Sequence, residues 1–344
     1  MSRQPGILAA LAAALLFGLG TPLAKMMVGE VDPWLLAGML YLGSGIGLGA
    51  VAVVSRRERG DITRGDRPWL AGAILAGGVA GPVLMMYGLR ETGAATSALL
   101  LNAEGVLTAL IAWGLFRENA GRRVVLGMAA IVAGAVLLSW PGGAIEASAG
   151  AGLILAACLC WAIDNNLTRR VSLADPVQIA ALKGLAAGVT NVGLALGLGA
   201  PLPTPGTALL AGILGFGAYG LSLVAFVVAL RELGTARTGA YFSTAPFVGA
   251  ALAVLALGEP LSLPLALAGL LMALGVWLHL TERHDHDHCH EALAHSHAHT
   301  HDDHHRHAHD APVSDTPHVH WHRHEAMSHR HPHFPDAHHR HDHP

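Results

Sequence analysis

Histidine is missing from the first 278 residues of this 344-residue chain, because all 24 histidines lie at or after His279. Lysine is nearly as scarce: Lys25 and Lys183 stand against nineteen arginines. Charged residues make up only 13% of the chain, and there are three cysteines. Each shortage removes a class of function. The long first part has no imidazole to act as base or metal ligand, no phosphate-cradling glycine loop and no zinc-protease helix motif. Neither an enzyme nor an ATP-driven pump is expected, and no cofactor is required. Cys158 and Cys160 lie in an apolar run and Cys289 is alone near the C-terminus, so no disulfide framework is expected. A formal net charge of -3 gives nucleic-acid binding no support.

What is abundant is apolar. Hydrophobic residues reach 52% and the mean hydropathy is +0.45, values of a membrane protein rather than a soluble one. A hydrocarbon core about 30 Å thick needs about 20 apolar residues as a helix. By that measure ten runs separate: Gly6 to Val28, Pro33 to Val54, Trp69 to Leu89, Ala94 to Phe116, Val124 to Trp140, Gly150 to Leu167, Val177 to Gly199, Thr207 to Leu230, Thr238 to Leu257 and Leu261 to Leu280. With the N-terminus inside, the inner loops hold Arg56, Arg57, Arg59, Arg64, Arg67, Arg117, Arg122, Arg123, Arg169, Arg170, Arg231 and Arg237, and the outer loops only Arg90. Basic loops stay cytoplasmic, so both termini are expected there. Arginine over lysine, with much alanine and glycine, suggests a bacterial, GC-rich source and hence the inner membrane.

The ten runs are five runs given twice. Gly88 to Ala95 (Gly-Leu-Arg-Glu-Thr-Gly-Ala-Ala) recurs 141 residues later as Ala229 to Ala236 (Ala-Leu-Arg-Glu-Leu-Gly-Thr-Ala), and the same offset pairs Glu118 with Glu259 and Gly134 with Gly275. Asp32-Pro33 returns as Asp175-Pro176, and Phe17 as Trp161. An odd number of spans makes the second copy enter from the opposite side, the inverted-repeat arrangement of secondary transporters. The domain boundaries follow: residues 1-140, residues 141-282, and a tail over residues 283-344. The fold class is an all-α membrane protein of about ten transmembrane helices with a disordered C-terminal tail.

On these residues, over 6 to about 281, the chain resembles the drug/metabolite transporter superfamily, in particular its EamA-type ten-helix members. The shared elements are the duplicated unit, the Leu-Arg-Glu-x-Gly-x-Ala segments, and Glu118 and Glu259 closing the fourth and ninth helices. The resemblance implies a proton- or gradient-coupled exporter or exchanger of small metabolites, and it lends some support to a basic residue at Lys183. One departure stands out: the ninth helix has Ala245-Pro246 where the fourth has Glu104-Gly105.

Ionisable side chains in mid-span cost about 2.5 to 3.5 kcal/mol on insertion scales, so each needs a partner, a wet cavity or a function. Glu104, Asp164 and Lys183 are the three. Protonation removes the charge of Glu104, which suits it to couple proton movement to exchange; the structural alternative is an ion pair with Lys183. Ser97 and Thr108 share the Glu104 face at helical spacing, and Cys160, Asp164 and Thr168 form a second stripe beside Asn165 and Asn166. The candidate substrate and coupling residues are Glu104, Asp164, Asn165, Asn166, Lys183 and Asn102. Gly77-Gly78 with Gly81-Pro82 in helix 3, and Gly215, Gly217 and Gly220 in helix 8, interrupt both halves and point to a binding region.

The tail carries 23 histidines, ten acidic residues and five arginines. Its His-x-His runs nominate His284, His286, His288, Cys289, His290, His295, His297, His299 and His301 as metal ligands. Imidazole suits nickel, cobalt, zinc and copper with little selectivity, and titration near pH 6.5 makes the same tail a pH sensor. The preferred reading is a secondary transporter, exporting by alternating access, of divalent metal or a metal-linked substrate. The alternatives are a small-metabolite or drug exporter with a metal- or pH-sensing tail, and a membrane-anchored metal reservoir. The lipid bilayer and one small solute are the expected partners.

Overall fold

The computed structural model describes residues 4–54, 62–116, 122–139, 148–171, 175–233 and 235–281, with 285–290, 293–299, 318–324 and 327–332 in the tail. Glu118, His284 and His301 lie outside the described residues. Contacts divide the chain into two compact units, Met1–Glu282 and Arg283–Pro344.

Among its described residues the first unit forms ten helices, as the apolar runs predict. Helix 1 is Gln4–Met27, helix 2 Pro33–Val54, helix 5 Arg122–Ser139, helix 6 Ala149–Val171, helix 7 Pro176–Gly197 and helix 10 Leu263–Leu280. The other four are interrupted. Helix 3 runs as Arg67–Ala73, a π-helical turn Ile74–Ala80 and Gly81–Glu91; helix 8 runs as Pro205–Leu214, a π-helical turn Gly215–Leu221 and Ser222–Leu233. Helix 4 breaks into Ala94–Leu100 and Asn102–Phe116, and helix 9 into Thr235–Phe242 and Ala245–Ala256. Among the described residues seven helices are long and apolar enough to cross a membrane, and three shorter apolar helices accompany them.

The interruptions obey the repeat. Ile74 and Gly215, like Ala94 and Thr235, are 141 residues apart, so both halves change hydrogen-bond register at equivalent places. Local chemistry explains the helix starts. Asp32 Oδ1 accepts the backbone N–H groups of Trp34 and Leu35 at 2.9 and 3.0 Å, and Asp175 Oδ1 accepts that of Gln178 at 2.9 Å. In both cases proline follows at the first helical position, where its missing N–H costs nothing.

Packing is also two-fold in pattern. Helix 2 lies along helix 7 and helix 5 along helix 10; helix 3 meets helix 6 as helix 8 meets helix 1. Lipid tails give apolar helices no reason to associate, so close backbone approach must supply the attraction. At Gly45 and Gly184 the backbones of helices 2 and 7 come so near that a Cβ on either would collide with the other chain segment.

In the tail the described backbone forms two antiparallel ladders. Asp285–His290 pairs with Met327–Pro332, and Leu293–His299 with His318–His324. The cause is legible: histidine at every second position is a period-two pattern, the period of a strand. The register sets His286 opposite His331, His288 opposite His329, and His295, His297 and His299 opposite His322, His320 and His318.

Candidate functional site

Residues from both halves surround a cavity inside the ten-helix unit. Phe17, Tyr41, Ser44, Glu104, Trp161, Asp164, Asn165, Lys183, Tyr219, Ser222, Phe226 and Phe242 are among its lining. Its volume is about 80 Å³. One water needs roughly 10 to 15 Å³, so the space has room for a small solute.

Two charged positions on helices 6 and 7 form one unit. Lys183 Nζ donates to Asp164 Oδ1 and Oδ2 at 2.6 and 2.8 Å and to Thr168 Oγ1 at 3.2 Å, and the Thr168 hydroxyl donates to Asp164 Oδ1 at 2.8 Å. Lys183 is 3% exposed and Asp164 7%. This corrects the ion pair weighed from sequence: Lys183 pairs with Asp164, not with Glu104. The stripe of Asp164 and Thr168 does form, one helical turn apart, while Cys160 takes no part in it.

Glu104 stands apart from that pair. It occupies the first turn of the second half of helix 4, where Asn102 restarts the helix and the macrodipole favours a carboxylate. Asn165 Nδ2 donates to Glu104 Oε1 at 2.8 Å and to Thr108 Oγ1 at 3.3 Å, joining helix 6 to the predicted face of helix 4. Among the described residues Glu104 makes no ion pair. Its repeat counterpart, Ala245, is fully buried and carries no charge.

Four of the six candidate residues therefore meet at the cavity: Glu104, Asp164, Asn165 and Lys183. The other two do not. Asn166 donates to the backbone carbonyls of Ala162 and Thr108 at 2.8 and 3.2 Å, which fastens helix 6 to helix 4. Asn102 donates to the carbonyl of Leu99 at 3.1 Å and lies against Met272 of helix 10. For the tail candidates His286, His288, Cys289, His290, His295, His297 and His299, the placement is that of the strand backbone given above.

Sequence reasoning missed the aromatic wall. Phe17 meets Trp161 edge-on at 6.2 Å between ring centres, Tyr219 at 5.9 Å and Phe242 at 5.3 Å; Tyr41 meets Tyr219, and Phe226 meets Phe242. Phe17 and Trp161 are repeat equivalents, so the pseudo-two-fold relation passes between them. A signal for this was available in the scarcity of tyrosine: two of the chain's four, Tyr41 and Tyr219, line the cavity. Also unforeseen is what the glycines of helix 3 do. The π-turn frees the carbonyl of Gly77, which accepts from Tyr41 Oη at 2.8 Å and Trp161 Nε1 at 2.9 Å; Asn191 Nδ2 donates to the carbonyl of Gly78 at 3.1 Å. A methyl group at Gly77 would collide with the Asp164 carboxylate.

At the opposite end the Leu-Arg-Glu-x-Gly segment is clasped by two charges. Lys25 Nζ donates to the carbonyls of Leu89, Arg90 and Thr92 at 2.7, 3.3 and 2.8 Å, capping the end of helix 3. Glu259 accepts the N–H groups of Ala94 and Ala95 at 2.6 and 2.8 Å, capping the start of helix 4.

Comparison with known proteins agrees with this architecture. The EamA-like transporter family matches twice, over residues 4–140 and 148–281. An "Uncharacterized transporter" of Methanothermobacter thermautotrophicus is 28% identical over 298 residues, 81% of this chain and 87% of the relative. A Pseudomonas aeruginosa protein, "Uncharacterized protein PA1977", is 31% identical over 201 residues, 57% of this chain and 68% of its own length. A protein of known crystal structure superposes with a TM-score of 0.62 over 81% of this chain and 98% of its own, at 22% identity, which shows the common fold. Two successive matches to one family, each spanning a five-helix half of the unit that encloses the cavity, make this chain a member of the EamA-like transporter family.

Proposed function

We propose that the chain is a secondary active transporter that exports a small organic solute across the bacterial inner membrane, exchanging it for protons by alternating access of the two inverted halves. Both termini are cytoplasmic in this reading. The observation that carries it is Glu104, a mid-span carboxylate beside the cavity with an amide as partner and, among the described residues, no counter-ion. A carboxylate so placed binds either a proton or a positively charged or hydrogen-bonding cargo, and such competition is the minimum device for coupling. The matched breaks in helices 4 and 9, and in helices 3 and 8, support movement of one half against the other.

Of the two cargoes weighed from sequence, the cavity favours the organic one. Both oxygens of Asp164 are taken by Lys183, and the described residues hold no group of three or more histidine, cysteine, aspartate or glutamate side chains disposed for a metal ion. The test is saturable uptake of labelled organic solutes, with nickel, cobalt and zinc alongside, into proteoliposomes with and without an imposed pH gradient. Gradient-dependent organic flux is expected; saturable flux confined to the metals would restore the metal reading.

The depth of four lining residues supports an inward-facing state. Asp164, Lys183, Phe226 and Phe242 each lie seven residues, about two helical turns, from the helix ends that the basic loops mark as cytoplasmic. Lys25 and Glu259 hold the other end together. Removing an N-cap acceptor costs about 0.5 to 2 kcal/mol, so Glu259→Ala is expected to shift the equilibrium toward the outward-facing state by roughly 2- to 30-fold. The readout is labelling by an external thiol reagent of a Ser97→Cys reporter in a chain without native cysteines. Unchanged labelling would reduce Glu259 to a local cap.

The tail is an accessory metal-binding segment in this reading. The support is the sequence of the tail, with histidine at every second position over its His-x-His runs. A chain ending at Glu282 is expected to lose at least nine-tenths of the bound nickel or zinc in equilibrium dialysis while organic-solute flux persists. Loss of flux together with the metal would instead make the tail part of the transport cycle.

A further inference from the structure

The cavity's charge balance narrows the chemistry of its cargo, an inference that rests on the transporter reading above. Lys183 has three N–H donors and three acceptors within reach, two from Asp164 and one from Thr168. It keeps no donor for a substrate anion, and Asp164 is neutralised in the same contact. Glu104 remains, with Asn165 as a neutral partner. Among the described residues the lining thus carries one uncompensated carboxylate and no free cation.

The walls complete the picture. Six rings form one connected set through Phe17, Tyr219 and Phe242. The polar ends of Tyr41 and Trp161 are already engaged by the carbonyl of Gly77, so those two residues offer the cavity their rings and not their donors. Ser222 is similarly engaged, donating to the carbonyl of Ala13 at 3.0 Å. Ring faces carry negative charge density and attract cations that can shed water. A divalent metal ion asks instead for several oxygen, nitrogen or sulfur ligands around it. Aromatic walls around one carboxylate meet the needs of an ammonium group on a hydrocarbon body.

We propose that the cavity takes a small organic monocation, an amine with an apolar body, whose ammonium pairs with Glu104 while its hydrocarbon packs on the rings of Phe17, Tyr41, Trp161, Tyr219, Phe226 and Phe242. Asn165 is a positioning residue: it fixes Glu104 Oε1 and leaves the other carboxylate oxygen for the cargo.

The experiment is calorimetric titration of the full chain in lipid nanodiscs with three probes of similar shape: isoamylamine, isoamyl alcohol and isocaproate. The amine is expected to bind at least tenfold tighter than either of the others. Glu104→Gln should erase that preference, Glu104→Asp should keep the order, and Phe226→Leu should weaken the amine several-fold. Thermal melts identify a variant that has failed to fold, and the other two then decide. Amine binding no tighter than that of the alcohol or isocaproate, including no binding of any of them, overturns the proposal. Flux of the same probes separates it from the transporter reading. Carrier-mediated movement without preference for the amine overturns the substrate class alone. Selective amine binding without movement of any probe upholds the substrate class and overturns the transporter.

Discussion

Glu104→Gln is expected to abolish accumulation against a gradient, with a loss of roughly 100-fold in proton-driven flux, while exchange of solute for solute across the same membrane continues at saturating solute, with its half-saturation raised by the weakened cargo binding. The substitution is nearly isosteric. The Gln carbonyl oxygen still accepts from Asn165 Nδ2, now at 2.8 Å from Glu104 Oε1, so the link between helices 4 and 6 survives. What disappears is the choice between a charged and a protonated state. An uncompensated charge in mid-span costs about 2.5 to 3.5 kcal/mol on insertion scales, and about 1.4 kcal/mol is a factor of ten in an equilibrium. Hence the figure of about 100-fold for the advantage of carrying either a proton or a cargo over carrying neither. Exchange needs no net proton movement and no empty carrier, which is why it is the diagnostic. The assay compares uptake driven by a pH step with counterflow in the same proteoliposomes. Loss of both, with an unchanged thermal melt, would make Glu104 a binding residue without a coupling role. Retention of both would remove it from the mechanism.

Much of the scaffold was legible because membrane helices announce themselves by length, and because a duplication leaves matching residues at a nearly constant offset. Asp32-Pro33 and Asp175-Pro176 were visible as repeats, and the structure gives their cause as paired N-caps. Glu104, Asp164, Asn165 and Lys183 were visible because polar groups are costly in lipid and stand out against alanine and leucine. Which of them faces which was not. A helix that is apolar on nearly every side has no amphipathic stripe to fix its rotation, so spacing could align Asp164 with Thr168 but could not choose between Asp164 and Glu104 as the partner of Lys183. The same ambiguity hid the rings: in lipid a phenylalanine is as ordinary toward the acyl chains as toward a cavity. Asn102 and Asn166 looked like site residues for the reason that Asn165 did, yet they serve backbone carbonyls. Glu259 could be read only as a repeated letter, since its work is done on N–H groups 164 and 165 residues away.

Breaking the Asp164 and Lys183 pair from one side is expected to destabilise the protein by about 3 to 5 kcal/mol, whereas removing both partners should restore most of that stability. Asp164→Ala strands an ammonium that is 3% exposed, with one hydroxyl as its remaining acceptor; Lys183→Met strands a carboxylate beside Gly77, where the backbone leaves no room to move away. The cost of such a half-pair is the desolvation of the orphaned charge, and it exceeds the net worth of the intact pair, because Coulomb attraction in a buried site only roughly repays what both ions lost on leaving water. The double variant Asp164→Ala with Lys183→Met has no charge to strand. Thermal melting of the two single variants and the double variant in detergent therefore forms a cycle whose coupling energy should be large and favourable. If the double variant is no more stable than the worse single, the pair's contribution lies in hydrogen-bond geometry and not in charge neutralisation. Transport by the double variant then assigns the pair's role: flux at wild-type levels makes it a structural clasp between helices 6 and 7, and lost flux in a well-folded double variant makes the pair, with Glu104, part of the machinery that moves the cargo.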